Sequence, residues 1–99
     1  MMIRHIIFWT LSETGRQKDQ RELLNAMQQS LGGMVGTVPG LLRAEIARNT
    51  APGCDYVFYS ELTDAEALAA YQTHPLHLAH KERFREDFSA RSVGDYEIL

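Results

Sequence analysis

Cysteine is almost absent. Cys54 stands alone, so no internal disulfide can form, which suits a reducing compartment and sets the expectation of a cytoplasmic protein. Basic charge is not in excess either: 10 Lys and Arg face 13 Asp and Glu, for a net charge of -3 at pH 7. Such a chain lacks the electrostatic footprint that nucleic acids or anionic membranes require, and neither is expected as a partner. Long apolar runs are missing. The strongest, Ile6-Ile7-Phe8-Trp9, is too short for the core of a signal peptide, and no small-residue cleavage site follows it. No repeat, low-complexity tract or Ser/Gly linker divides the chain, so one domain over residues 1–99 is the economical reading. A domain this short buries only a modest share of its surface alone, and oligomerisation is one remedy.

What is present reads as alternating strands and helices. Ile3 to Leu11 is rich in β-branched and aromatic residues and runs into the polar turn Ser12-Glu13-Thr14-Gly15. From about Gln17 to Val38, Leu24, Met27, Leu31, Met34, Val35 and Val38 recur at helical spacing, with Gly32-Gly33, Gly36 and Pro39-Gly40 as successive stop signals. Leu41 to Arg48 and Cys54 to Leu62 are strand-like, and the Asn49-Thr50-Ala51-Pro52-Gly53 loop between them predicts an antiparallel hairpin. A second helix starts at Thr63-Asp64-Ala65-Glu66, where Thr63 and Glu66 have capping-box spacing. Pro75 disfavours helical geometry at His74 yet suits the first turn of a new helix. The chain should therefore break at His74 and restart, with His77, Lys81, Phe84 and Phe88 along one side of a helix reaching about Phe88. Ser92 to Ile98 supplies the last strand.

Two right-handed β-α-β crossovers then give an α+β fold of the ferredoxin-like βαββαβ type, a four-stranded antiparallel sheet with its helices on one face. The other face would be bare. Yet the first strand is apolar in both phases, Ile7 and Trp9 against Ile6 and Phe8, and the third repeats this with Tyr56 and Phe58 against Val57 and Tyr59. A second copy of the same sheet is the simplest cover, so a homodimer held by Ile6, Phe8, Val57 and Tyr59 is expected. His5, Ile7, Trp9, Tyr56 and Phe58 then belong to the helix side.

Several segments resemble one family. Ile3-Arg4-His5-Ile6-Ile7-Phe8, the turn Val38-Pro39-Gly40-Leu41, the strand Tyr56 to Leu62, the segment Tyr71-Gln72-Thr73-His74-Pro75-Leu76-His77 and the terminal Asp95-Tyr96 are similar to the stress-responsive A/B barrel domain, Dabb, over essentially the whole chain. The resemblance implies a dimeric α/β barrel. Many members of that family have no assigned activity, whereas its plant polyketide cyclases use a histidine and a tyrosine to drive an intramolecular aldol closure. The matching positions here are His5, Tyr71 and His77; where those cyclases carry a further histidine in the third strand, this chain has Tyr56.

Two readings of these residues stand side by side. In the first, the protein is a cofactor-independent lyase or cyclase acting on a small β-keto or aromatic compound. His77 takes a proton from carbon and returns it, Tyr71 donates to the enolate oxygen, and His5 and Tyr56 orient the substrate in a pocket bordered by Ile7, Trp9 and Phe58. In the second, a non-catalytic module binds a small apolar ligand, or its side chains simply fill the space; His77 and Tyr71 are then core residues. His74 is expected to cap the helix that follows it. No metal or other cofactor is expected. Steps of three turn a side chain back by about 60° around a helix, so His74, His77 and His80 cannot all reach one ion. A haem ligated by His77, or quinol oxidation as in monooxygenases of related fold, has no dedicated sequence signal. The charged run Lys81 to Asp87 reads as a solvated helix face.

Overall fold

Alternation makes Ile3–Leu11 a strand: in this computed structural model, which describes residues 1–99, Ile3, His5, Ile7 and Leu11 are buried while Arg4, Ile6, Phe8 and Thr10 are not. This strand, β1, is central in a sheet of order β2-β3-β1-β4 in which every neighbouring pair is antiparallel. β2 (Leu41–Arg48) and β3 (Tyr56–Leu62) form the expected hairpin. Its loop is tied by the Asn49 side-chain amide, which donates to the carbonyls of Ala51 and Cys54 at 3.0 and 2.9 Å. Across β1, Phe58 pairs with Ile7 and Tyr56 with Trp9; on the other side β4 (Phe88–Glu97) sets Asp95 opposite His5 and Arg91 opposite Trp9.

The helices are α1 (Glu13–Arg16), α2 (Gln20–Gly32), α3 (Ala65–Thr73) and α4 (Pro75–Phe84). Leu23, Met27 and Leu31 of α2, Tyr71 of α3 and Phe84 of α4 pack on Ile7, Ile46, Phe58 and Leu62 of the sheet, which defines the ferredoxin-like βαββαβ arrangement with all helices on one face. Gln28 of α2 also reaches the outer edge of β2, accepting from Ile46 N at 2.9 Å and donating to Ala44 O at 3.2 Å.

Element limits depart from the sequence expectation where burial and helicity separate. The first helix, expected over 17–38, starts at Gln20 behind the Asp19 cap and ends at Gly32; Met34 and Val38 stay in the core from a following run of turns. The polar stretch expected to be only a turn forms α1, capped by Ser12, whose Oγ accepts from Gly15 N at 3.1 Å. Asp64, not Thr63, caps α3 by accepting from Ala67 N at 2.8 Å, while Thr63 N donates to Gly40 O at 2.9 Å and anchors the end of β3. β3 begins at Tyr56 rather than Cys54, because the carboxylate of Asp55 is engaged by Leu11 N at 2.8 Å and Arg16 at 3.0 Å.

The last crossover also ends earlier than expected. α4 stops at Phe84, and a 3-10 turn, Arg85–Asp87, follows. Asp87 is buried, pairs with Lys18 at 2.7 Å and accepts from Ser12 N through its carbonyl at 2.9 Å. That anchorage moves Phe88 out of the helix and starts β4 at Phe88 instead of Ser92.

No helix covers the far face of the sheet. Ile6 pairs with Tyr59 and Phe8 with Val57 there, and Phe8 is 43% exposed. Arg4 donates to the Tyr96 hydroxyl at 3.4 Å, and the Arg43 guanidinium sits 5.5 Å from the centre of the Tyr59 ring. No helix is long and apolar enough to cross a membrane.

Candidate active site

The site begins with a break in a helix. His74, at φ -64 and ψ 138, ends α3 and starts α4; Pro75 takes the first helical position, and Nδ1 of His74 accepts from Leu76 N at 3.1 Å. His74 is thus the cap the sequence suggested. The break swings α4 so that His77, in its first turns, meets Tyr71 in the last turn of α3, with ring centroids 4.3 Å apart and planes tilted by 44°.

Both side chains line a cavity of about 310 Å³ between α4 and the β1–β4 side of the sheet. Ile7 and Trp9 of β1, Phe58 of β3, and Met27 and Leu31 of α2 supply apolar lining; His80, Lys81 and Phe84 of α4 join His77, and Arg85 with Phe88 to Arg91 completes the boundary. Trp9 and Phe88 pack together at 4.8 Å between ring centroids. The mixture of apolar walls with a few polar groups is typical of small-molecule sites.

Burial sets the protonation states. It pushes the Tyr71 phenol up, so this hydroxyl stays protonated and can donate. Burial, helped by the positive potential of His80, Lys81, His5 and Arg91, pushes His77 down to about 4. Its ring is uncharged at neutral pH, and its Nδ1 is buried without a hydrogen-bond partner. His80 is likewise pushed down to about 4, by burial and then by Arg83, and its Nδ1 is 2.7 Å from Ser30 Oγ.

Of the five residues expected around the substrate, the cavity gathers three: Ile7, Trp9 and Phe58. His5 lies one layer behind them. Its ring is edge-on to Tyr71 at 6.4 Å and to Phe58 at 6.1 Å, and its Nδ1 hydrogen-bonds the carboxylate of Asp95. Because a carboxylate only accepts, Nδ1 carries the proton. His5 therefore touches the site through Tyr71 rather than bordering it. Tyr56 lies outside. It shares the strand phase of Phe58 but sits toward the α1 end, where its hydroxyl donates to Gln20 Oε1 and its ring borders a separate depression beside Cys54.

Nothing in the local sequence marks Asp95 or Arg91 as a site residue. Their link to the site appears only once β1 and β4 are placed in register, Asp95 on His5 and Arg91 on Trp9. His80, which the sequence suggests only as a member of the His74, His77, His80 series, lines the cavity and is held by Ser30.

Comparison with known proteins agrees with this architecture. The sequence profile of the stress responsive A/B barrel domain matches residues 3–98. An uncharacterized protein of Streptomyces coelicolor is 30% identical over 99 residues, spanning 98% of this chain and 100% of that protein. Among solved structures, a dimeric protein of unknown function and ferredoxin-like fold from Bacteroides fragilis superposes with a TM-score of 0.81 at 24% identity, covering 98% of this chain and 96% of that one. The hydroxynitrile lyase of Passiflora edulis superposes with a TM-score of 0.79 at 16% identity, covering 99% and 94%. At such identities the structural likenesses speak to the fold. The profile match and the Streptomyces relative span nearly the whole sequence, and the chain belongs to the stress responsive A/B barrel domain family, Dabb.

Proposed function

We propose that the protein is a cofactor-independent lyase or cyclase acting on a small β-keto or aromatic carbonyl compound, with Tyr71 and His77 as its catalytic pair. The observation that carries this reading is their juxtaposition on one apolar cavity, with an uncharged His77 whose buried Nδ1 has no partner. A protein of the same fold, the Passiflora edulis enzyme, is a hydroxynitrile lyase, which supports the reading at the level of scaffold.

In the proposed reaction His77 removes a proton from carbon next to a carbonyl. The C–H electron pair becomes the enolate double bond, and negative charge gathers on the oxygen that Tyr71 holds by donating its O–H. The enolate carbon then attacks a second carbonyl of the same molecule, and the alkoxide formed there takes the proton back from His77. Read in reverse, the same steps cleave a carbon–carbon bond. Burial makes a lone imidazolium costly at this position, but the proton arrives together with an enolate beside it, so the two charges offset one another. His5, fixed by Asp95, acts as a positioning residue behind Tyr71.

The functional unit in this proposal is a homodimer that covers the open sheet face, with one complete cavity in each subunit. The apolar side chains left bare on that face support it, as does the dimeric state of the Bacteroides fragilis protein.

Exchange of the benzylic protons of phenylacetone in D2O, followed by NMR, tests the chemistry. The wild type should accelerate it and His77→Ala should not. Binding of the ketone without accelerated exchange would instead establish the non-catalytic binding module.

A further inference from the structure

The chain is acidic overall, with a net charge of -3, yet the charged residues lining the cavity are Lys81, Arg85 and Arg91, with no carboxylate among them. None of the five ion pairs of the chain includes Lys81 or Arg91, and Arg85 reaches only the exposed Glu82, at 3.6 Å. Lys81 stands one helical turn beyond His77 on α4. Arg91 comes from β4 and lies over Trp9 at 5.8 Å, a ring itself packed on Phe88. Two exposed cations from different elements, neither in an ion pair, therefore stand at the boundary of one apolar cavity that no acid lines.

We propose that this cavity takes a ligand bearing a carboxylate, held between Lys81 and Arg91, with its apolar or aromatic body against Phe58 and Phe84. The proposal rests on the reading of the cavity as the reactive site and names the class of compound it accepts, an aromatic or β-keto acid. A planar guanidinium held over an aromatic ring can offer the two parallel hydrogen bonds a carboxylate accepts, and a flexible ammonium can close on the same group from the other side. The volume, about 310 Å³, admits a body of roughly one or two rings. Nothing in this recognition needs His77, so binding and chemistry divide between different residues.

Calorimetric titration with 3-phenylpropanoate and its uncharged isostere 3-phenylpropanamide tests the proposal. The acid should bind about tenfold more tightly than the amide at low salt, and the advantage should shrink as salt is added. Lys81→Gln and Arg91→Gln should each weaken the acid by roughly 3- to 10-fold and leave the amide unchanged. Equal affinity of acid and amide, or acid binding untouched by both substitutions, would overturn the carboxylate site while leaving the cavity reading intact. Failure of both probes to bind at millimolar concentration would overturn the two together.

Discussion

The rings of Tyr71 and His77 meet at 4.3 Å because two helices change direction at Pro75 between them. Packing and chemistry at Tyr71 can therefore be separated. Tyr71→Phe preserves the ring contact and the fold but removes the donor, and the proton-exchange rate should fall by about 100-fold. Tyr71→Ala empties a fully buried position and should cost about 3–5 kcal/mol of stability. An exchange rate unchanged in Tyr71→Phe would assign Tyr71 a packing role alone.

Acidification should destabilise the protein before its carboxylates titrate. His77 and His80 are held to about 4 in the folded chain, against an ordinary value of 6.5 once unfolded. Between those values the unfolded chain binds more protons, so stability rises with pH and is lost as pH falls from 7 toward 4. The urea midpoint should be lower at pH 5 than at pH 7, and His77→Asn and His80→Asn should each flatten that dependence.

Asp95 fixes the tautomer of His5 by accepting from its Nδ1. Asp95→Asn should mix the two tautomers, visible in the ring nitrogen chemical shifts. It should also lower the exchange rate less than Tyr71→Phe does, because His5 acts through Tyr71.

Gly40, at φ +81, sits where an added Cβ would lie 2.5 Å from the Ala67 side chain and 2.9 Å from Thr63 Oγ1. Gly40→Ala combines a left-handed backbone with overpacking and should cost about 2–4 kcal/mol in a urea titration. Gly36→Ala keeps the positive φ but meets no neighbour, so it should cost less.

For the open face, Phe8→Asp or Val57→Lys places a charge where a partner sheet is proposed. Sedimentation should then report monomers or insoluble protein. An intact dimer in both variants would move the interface elsewhere.

The sequence was most legible where one residue type has one physical outcome. The limits of β1 and β2 follow their apolar patterning and turn residues, and the restart of α4 follows from Pro75. Met34 and Val38 misled because helical spacing records burial, and a run of turns can bury the same positions. β4 is nearly all exposed, so its first residues carry no alternating apolar signal. Tyr56 shares a face with Phe58, but a face is longer than a cavity, and only three-dimensional packing says which part of it is open. Asp95 meets His5 through pairing across 90 residues, which no local pattern encodes.

Gln28 occupies the outward-directed Ala44 O and Ile46 N at the middle of β2, whereas β4, at the other end of the sheet, has an outer edge that this chain leaves unpaired. A sheet with one stopper and one free end can accept an extra strand on a single side. Another chain pairing with the middle of β2 would first have to displace Gln28 from both groups, so β4 is the edge that backbone pairing meets without a competitor.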